Sequence, residues 1–447
     1  MTTSQPHPLN ILILGAGVCG PLLALILQRS NPTHTITILE RYPSLRTGGQ
    51  QIDLKAHGIP IMTKLGLLET LRPYCVHESG LEFIDGNGKC LMQFGVTAAG
   101  ENPGRTLTNE FEFMRGDFVR MVYEISLQER ETLDEQGYGG SLKYVFGTTV
   151  TALSPDPSAK TTEVTFSTGS TSTFDLVVAA DGQSSRTRRL AFGQETSDAS
   201  FKSLNIHAAY YNVPRLPSEN SLARIYFGPQ NRMVMTRTGD RPVTQVYLFL
   251  LNNREERASR MRGTYKKPVD EQKAVWTEEY GDAGWECPRF LKGLEDVKDF
   301  YATEIGQVKM PSGELYKDRV VLLGDAGYCP SAFTGMGTTL SLIGAYVLAG
   351  ELARCGSDVD AALEAYQEEM KQPVEECQEL GPLVKEWRFF PESAWGVWAV
   401  GWVLWSISTM RVDKVLGWLA GWLPEGKEKR WELPEYENLN LRAPKME

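Results

Sequence analysis

The sequence predicts an α/β fold: a Rossmann-like dinucleotide-binding domain, an antiparallel-sheet domain inserted into it, and a C-terminal helix. Three observations predict this fold. A strand–turn–helix–strand unit with a glycine-rich turn begins near residue 10. Two more buried strands, each closed by an Asp-Gly or Gly-Asp pair, lie far along the chain. Short strand-like runs with turn signals lie between them, which is typical of an inserted antiparallel layer.

The first unit has the full context of a dinucleotide-binding motif. Residues 11–14 and 35–39 are short apolar runs typical of buried parallel strands. Glu40 closes the second strand and is expected to bind ribose hydroxyls. The glycines of a GxGxxG turn allow a tight turn, close approach to the pyrophosphate and close helix packing, and the helix N-terminus attracts phosphate. Here they are Gly15, Gly17 and Gly20.

The two distant strands carry polar residues at their ends. Residues 176–180 are followed by Asp181-Gly182, and residues 320–323 by Gly324-Asp325. Ligands of open α/β sheets bind at the carboxyl ends of strands, so we expect both pairs to border the site. Asp325 suits a ribityl-type hydroxyl. A Gly335-Met336-Gly337 turn precedes a helix predicted over 336–354 and aims amide groups at an anionic ring edge.

The middle of the chain predicts the inserted sheet. Strands are predicted in 81–94, around a turn at 85–88, and over 201–211 and 245–251, whereas 252–273 is predicted to be a charged, exposed connector. The predicted dinucleotide-binding domain takes residues 1–77, 105–190 and 311–375. The predicted substrate domain takes 78–104 and 191–310, and the Trp-rich helical region takes 376–447.

Composition and charge exclude several classes of protein. The 46 Lys+Arg and 56 Asp+Glu residues give a net charge of -10, which argues against a nucleic-acid partner. The 7 cysteines are scattered without CxxC spacing, so neither a disulfide framework nor a metal site is predicted. The polar N-terminus lacks the features of a secretory signal, and we expect a cytoplasmic protein with membrane association as the alternative.

The ordered GxGxxG, Asp-Gly and Gly-Asp motifs resemble those of the single-component (group A) FAD-dependent aromatic hydroxylases, which include p-hydroxybenzoate hydroxylase. The resemblance covers most of residues 9–370. Within that family, the segments 46–54 (RTGGQQIDL) and 113–118 (FMRGDF) are most similar to the tetracycline-inactivating monooxygenases. The family usually carries a His soon after the Gly-Asp pair, where this chain has Tyr328. We interpret the change as tolerated, because the flavin contacts there are largely with the backbone.

The resemblance implies bound FAD, transiently bound NADPH, and O2 adding at flavin C4a to give a hydroperoxyflavin. The resemblance implies that this hydroperoxyflavin then hydroxylates a polycyclic aromatic or polyketide-like small molecule of the secondary-metabolite type. The resemblance implies that Arg46 contacts FAD and also NADPH. It implies that Asp181-Gly182 contacts both cofactors as well. The cofactor-binding residues predicted from the motifs and the resemblance are Gly15, Gly17, Cys19, Gly20, Glu40, Arg41, Arg46, Asp53, Arg115, Asp181, Gly182, Gly324, Asp325, Gly335, Met336 and Gly337.

The substrate pocket is less well defined by the sequence. The motifs require no catalytic acid or base, because the flavin carries the difficult chemistry. Phe333 lies beside the glycine-rich turn and is expected to face the substrate. Further pocket candidates on the predicted substrate-domain strands are His207, Tyr210, Arg224 and Tyr226.

The C-terminal region has an uncharged stretch at 394–410 with tryptophans on one helical face: Trp395, Trp398, Trp402 and Trp405. Trp418 and Trp422 continue the pattern. The resemblance implies a helix packed across both domains. Peripheral membrane contact and a membrane span are the alternatives, although a span concentrates Trp at its ends.

Other functions remain compatible with these motifs. One is a membrane-associated flavin epoxidase of terpenoid substrates, which the tryptophans favour. Another is a flavin-binding redox sensor without turnover. A flavin-dependent halogenase is disfavoured, because no WxWxIP-type motif occurs. Substrate identity, the choice between hydroxylation, epoxidation and Baeyer–Villiger insertion, the choice between NADPH and NADH, and the oligomeric state do not follow from the sequence.

Overall fold

The computed structural model describes residues 7–46, 48–95, 111–251, 254–356, 358–381, 390–409, 431–439 and 441. Its strands are β1 Asn10–Leu14, β2 Thr35–Glu40, β3 Gln51–Asp53, β4 Gly80–Ile84, β5 Cys90–Gly95, β6 Glu112–Met114, β7 Ser141–Phe146, β8 Val150–Asp156, β9 Thr161–Phe166, β10 Thr171–Phe174, β11 Leu176–Ala179, β12 Phe201–Pro214, β13 Leu222–Gly228, β14 Arg232–Arg237, β15 Val243–Leu251, β16 Tyr301–Val308, β17 Tyr316–Lys317 and β18 Val320–Leu322.

The helices are α1 Cys19–Ser30, α2 Gly58–Lys64, α3 Leu68–Leu71, α4 Arg115–Glu135, α5 Arg186–Phe192, α6 Gln194–Ser200, α7 Glu255–Thr264, α8 Val269–Tyr280, α9 Cys287–Asp296, α10 Asp325–Tyr328, α11 Gly337–Cys355, α12 Val359–Gln378 and α13 Ala394–Thr409. The strand and helix predictions around the three motifs agree with these bounds to within about two residues. The α/β fold class is confirmed.

One sheet has six strands in the order β17-β18-β11-β1-β2-β7, all parallel except β17. Alternate side chains of β1 pack into two different hydrophobic cores. Ile11 and Ile13 join the main cluster with α1 and α11, while Leu12 packs with the three-stranded sheet β8–β10. Because both faces are covered, the strand is apolar throughout, as the sequence predicts.

The second large sheet has seven strands in the order β16-β12-β15-β14-β13-β4-β5. Its pairs are antiparallel except β13 with β4, and the predicted turn at 85–88 joins β4 to β5. One face packs against α7, α8 and α9 around Trp276, Tyr280 and Phe290. The other face is lined by aromatic and apolar side chains, including Tyr247 and Phe249, and is turned toward the six-stranded sheet.

The prediction of an exposed connector over 252–273 was wrong. The described part of this segment forms α7 and the beginning of α8, and Ala258, Met261 and Thr264 are buried. These residues recur at three-residue spacing and cover the sheet, while the charged residues occupy the outer face. Because most residues of this segment are charged, the short row of buried residues was not recognised in the sequence.

The C-terminal helix α13 packs against β5 and β13. Its Val400 and Leu404 face the space beneath the sheet, whereas Trp395, at 75% exposure, and Trp405, at 49%, lie on an exposed face with Trp398 and Trp402. One face of α13 therefore packs on the seven-stranded sheet, and the predicted packing across both domains stays a prediction. Trp418 and Trp422 lie outside the described residues, and among those described no helix is both long and apolar enough to cross a bilayer.

Candidate active site

A cleft of about 1620 Å³ lies between the two large sheets. Its walls begin at the residues that follow β1, β2, β11 and β18, because parallel strands end at one sheet edge. It continues beneath the seven-stranded sheet to Phe249 and Phe333. Among the predicted cofactor-binding residues, all line this cleft except Gly20, Gly324 and Met336.

The GxGxxG turn has the geometry that its sequence predicts. Gly15 has φ +115°, and a Cβ there would collide with the carbonyl oxygen of Ala180 on the neighbouring strand. At Gly20 a Cβ would collide with the Gly15 oxygen. The N-terminus of α1 has no side-chain cap and no acid in its first turn among the described residues. Its amide groups therefore stay available for an anion.

Glu40 holds the two loops beside this turn. Its carboxylate accepts hydrogen bonds from the backbone N–H of Ala16 and of Tyr42, both at 3.1 Å. The Arg46 guanidinium lies 5.2 Å from the ring centres of both Tyr42 and Tyr301. An acid that accepts hydroxyl hydrogen bonds and a cation that attracts phosphate thus border the same part of the cleft. Their contacts with a cofactor remain predictions.

Arg115 and Asp325 lie deeper in the cleft, close enough for the charge of each side chain to affect the pKa of the other. Burial, followed by the nearby charge of Arg46, lowers the pKa of Arg115, and its Nη1 donates to the Gly48 oxygen at 3.4 Å. Burial raises the pKa of Asp325, although the Cys329 thiol and the Arg115 charge oppose the shift. Asp325 is nevertheless half-buried and lines the cleft, so a bound hydroxyl can reach its carboxylate.

The Gly335–Gly337 turn opens α11 toward the cleft. Gly335 is left-handed, with φ +63°, and a Cβ there would lie 2.8 Å from Lys55 Nζ. Lys55 in turn forms an ion pair of 2.7 Å with Asp53. No side chain caps the α11 N-terminus within the described chain, so the turn presents backbone N–H groups together with the positive end of a 19-residue helix.

Asp181 has a structural task. Its carboxylate accepts from Ser185 Oγ at 2.5 Å and from the backbone N–H groups of Arg186 and Thr187 at 3.0 and 3.1 Å. These bonds hold the start of α5 against the cleft wall. The adjacent Gly182, at φ +85°, has open space where a Cβ would be and leaves the wall accessible.

The pocket candidates separate by sheet face. Tyr210 and Phe333 line the cleft, and Phe333 lies 5.7 Å from the Phe249 ring centre. Arg224 pairs with Glu82, and Tyr226 donates to the Ala283 oxygen; both side chains lie on the face opposite the cleft. His207 does not line the cleft and is fully buried against Tyr265. A strand's successive side chains alternate between faces, and the sequence alone did not decide which face was which.

We expect His207 to make the protein acid-sensitive. Burial, and then the charges of Arg262 and Arg257, lower its pKa from 6.5 to about 4. The unfolded chain therefore binds a proton that the folded chain excludes, and stability falls as the pH drops through this range. In His207→Asn the difference in unfolding free energy between pH 7 and pH 5 should shrink by about 2 kcal/mol. Urea unfolding at both pH values measures it, and the exposed His77→Asn is the control; an unchanged difference in His207→Asn would contradict the assignment.

Tyr328, which stands where the family usually has His, points away from the cleft. It is buried beside Gly344 of α11, and its hydroxyl lies 2.9 Å from that of Tyr366. The residue therefore fills the core between α11 and α12. Its side chain is therefore not part of the cleft wall.

Residues 9–379 match the model of a protein family whose description is "FAD binding domain". The chain belongs to the FAD-dependent monooxygenases. It is 39% identical to FAD-dependent monooxygenase asL6 of Sarocladium schorii, over 97% of this chain and 99% of that protein. It is 30% identical to flavin-dependent monooxygenase eupH of a Phoma species, over 96% and 98%. These matches confirm the group A resemblance.

Solved structures agree with this assignment. The tetracycline destructase Tet(55) superposes with a TM-score of 0.70 at 26% identity, covering 97% of this monooxygenase and 100% of that chain. Tet(51) gives a TM-score of 0.70 at 25% identity, covering 91% and 98%. The monooxygenase is a flavoprotein, and its uncapped α1, its glycine turns and the Asp325 carboxylate that lines the cleft suit FAD.

Sequence reasoning missed part of the cleft lining. The cleft wall contains a charged cluster and its polar neighbours: Gln51, Glu78, Glu112, Arg237 and Tyr247. These residues come from β3, β6, β14, β15 and the approach to β4, which are distant in the chain. Arg237 at the end of β14 was the available signal, and it did not identify the partners.

Proposed function

We propose that this monooxygenase uses NADPH and O2 to hydroxylate a polycyclic aromatic or polyketide-like small molecule. The observation that carries the proposal is the continuity of the cleft. One space joins the FAD-binding motifs to an apolar chamber lined by Met233, Phe249 and Phe333. A cofactor and a flat apolar substrate can therefore lie side by side, with water largely excluded from the substrate end.

The chain's own residues bind, orient and exclude water. Asp325 accepts a hydroxyl hydrogen bond, while the Gly335–Gly337 amides and the α11 N-terminus stabilise negative charge on the ring system placed before them. Arg46 and Arg115 supply positive charge to phosphates. Bound FAD would supply the redox chemistry that activates O2, with NADPH as the reductant. The chemistry then needs no acid or base from the chain.

The substrate class rests on the shape of the chamber and on the relatives. Tet(51) and Tet(55) are named as tetracycline destructases, and asL6 and eupH as monooxygenases. The seven-stranded sheet presents aromatic rings at right angles, with Tyr210 edge-on to Tyr247 at 5.1 Å. Such a surface favours contacts with a planar, apolar molecule.

The test is NADPH oxidation by the purified yellow protein with polycyclic phenols, terpenoids or indoles. We expect a polycyclic phenol to accelerate NADPH oxidation by at least about tenfold, because closure of a site around its substrate commonly controls the reaction. The mass of the product should show that the phenol has gained one oxygen atom. NADH at the same concentration tests the choice of reductant. No acceleration by any class would contradict the proposal and favour the redox-sensor alternative.

The exposed tryptophans of α13 favour a second candidate. An epoxidase that takes a terpenoid from a membrane surface would place Trp395 and Trp398 in the lipid headgroup layer, while Val400 and Leu404 face the cleft. In the same assay, acceleration by terpenoids alone and formation of an epoxide would support this candidate over the first.

A further inference from the structure

The substrate end of the cleft has one charged terminus. Along β14, the side chains of Met233, Met235 and Arg237 all line the cleft, because alternate residues of a strand share a face. Met233 pairs across the sheet with Phe249, and Arg237 pairs with Gln245. The four-residue separation places the Arg237 and Met233 backbones about 13 Å apart. The chamber therefore has an aromatic end and a polar end.

Two buried carboxylates hold the Arg237 guanidinium in place. Its Nε donates to both oxygens of Glu78, at 3.0 and 3.1 Å, and its Nη2 bonds to Glu78 and Glu112. The side chains of Glu78 and Glu112 are 1% and 2% exposed, whereas that of Arg237 is 11% exposed. Salt bridges this buried fix the orientation of a guanidinium. The cluster of Arg237, Glu78 and Glu112 is thus preorganised.

One hydrogen-bond donor of the cluster remains for a ligand. Arg237 Nη1 makes no hydrogen bond to any residue in the described ranges. The atom is not buried, so a molecule in the cleft can reach it. Beside it, Glu112 accepts from Gln51 Nε2 at 2.6 Å, and Gln51 N–H donates to the Tyr247 hydroxyl at 3.0 Å. The polar end therefore presents a fixed donor within a network that is otherwise satisfied.

The charge of the cluster selects among ligands. One guanidinium and two carboxylates give +1 and −2, a net charge of −1. A carboxylate on the substrate would meet this negative charge in a site with little water, where repulsion is strong. A neutral oxygen can accept from Nη1 without that penalty, and a hydroxyl can also direct its proton toward the carboxylates.

We propose that the cluster of Arg237, Glu78 and Glu112 binds a neutral oxygen substituent, a phenol hydroxyl or ketone, of the aromatic substrate and rejects carboxylates. The inference rests on the proposed function, since it takes the apolar chamber as the substrate site. The roughly 13 Å between the two ends accommodates a skeleton of two or three fused rings. Arg237 thereby orients the ring system relative to Phe249 and Phe333.

The test compares two ligands of matched shape on the holoenzyme by isothermal titration calorimetry. At pH 7, 2-naphthol is neutral and 2-naphthoate is anionic. We expect the wild-type protein to bind 2-naphthol at least about tenfold more tightly. Glu112→Gln removes one negative charge with little change in shape and should lower this preference by at least about tenfold.

Glu82→Gln is the matched control. Glu82 also pairs with an arginine, Arg224, on the same sheet, but on the face away from the cleft. It should leave the preference unchanged. Should Glu112→Gln fail to retain FAD, Glu78→Gln makes the same charge change on the other side of the guanidinium.

Four results would overturn the proposal: no binding of 2-naphthol, equal binding of both ligands by the wild type, an unchanged preference in the Gln variants, or an equal change in Glu82→Gln. Calorimetry needs neither NADPH nor O2. A protein that binds with the expected preference but never inserts oxygen would therefore contradict the proposed function while leaving this site intact.

Discussion

Asp325→Ala is expected to give a folded protein that has lost its FAD. The carboxylate follows β18 at the cleft edge, and it is desolvated yet still accessible from the cleft. Hydrogen bonds to a charged group contribute about 1.5–3 kcal/mol, so removal should weaken FAD binding by about ten- to a hundredfold. The ratio of absorbance at 450 nm to that at 280 nm after desalting measures the loss.

The fold should survive this substitution, because alanine removes a charge that burial disfavours. Asp296→Ala, at an exposed position on α9, is the control and should stay fully yellow. Circular dichroism of both variants reports on folding. A fully loaded Asp325→Ala protein would show that the cofactor does not depend on this carboxylate.

Arg29→Met is expected to lower the unfolding free energy by about 3–5 kcal/mol, the usual cost of leaving one partner of a buried ion pair uncompensated. Arg29 Nε lies 2.8 Å from Glu129, and the two side chains are 3% and 5% exposed. Its Nη1 also donates to the carbonyl oxygens of Leu65 and Leu441, both at 2.8 Å. Urea unfolding followed by tryptophan fluorescence measures the change.

Arg260→Met provides the comparison, because Arg260 is 44% exposed and pairs with the exposed Glu278 and, at 3.5 Å, with Glu279, which keeps Arg257 as a partner. Exposed pairs contribute about 0–1 kcal/mol. Similar losses in the two variants would mean that burial does not govern the effect of the Arg29 pair.

The sequence predicts those parts of the site that depend on local backbone geometry. Gly15 and Gly335 occupy conformations that a side chain would strain. Glu40 ends a buried strand and Asp325 follows one, so a short stretch of sequence reveals each of these residues. Strong local constraints of this kind need no knowledge of the rest of the chain.

The side chains that contact the substrate end depend on register, which the sequence does not specify there. Tyr210 reaches the cleft while His207, three residues earlier, does not, because an odd separation places strand neighbours on opposite faces. Arg237 meets Glu78 and Glu112 across distances of more than a hundred residues in the chain. Likewise, the buried face of α7 depends on the sheet it covers, not on its own mostly charged composition.

The contact of Arg29 with Leu441 has a consequence for the order in which the protein is made. Arg29 lies in the first helix, and the carbonyl group it binds is 412 residues further on. Trp431 also donates to Glu369 on α12, so the last described segment is built into the earliest domain. During synthesis the ribosome delivers that segment long after the first helix. The domain that begins first therefore reaches its native packing only after the chain has been translated through residue 441.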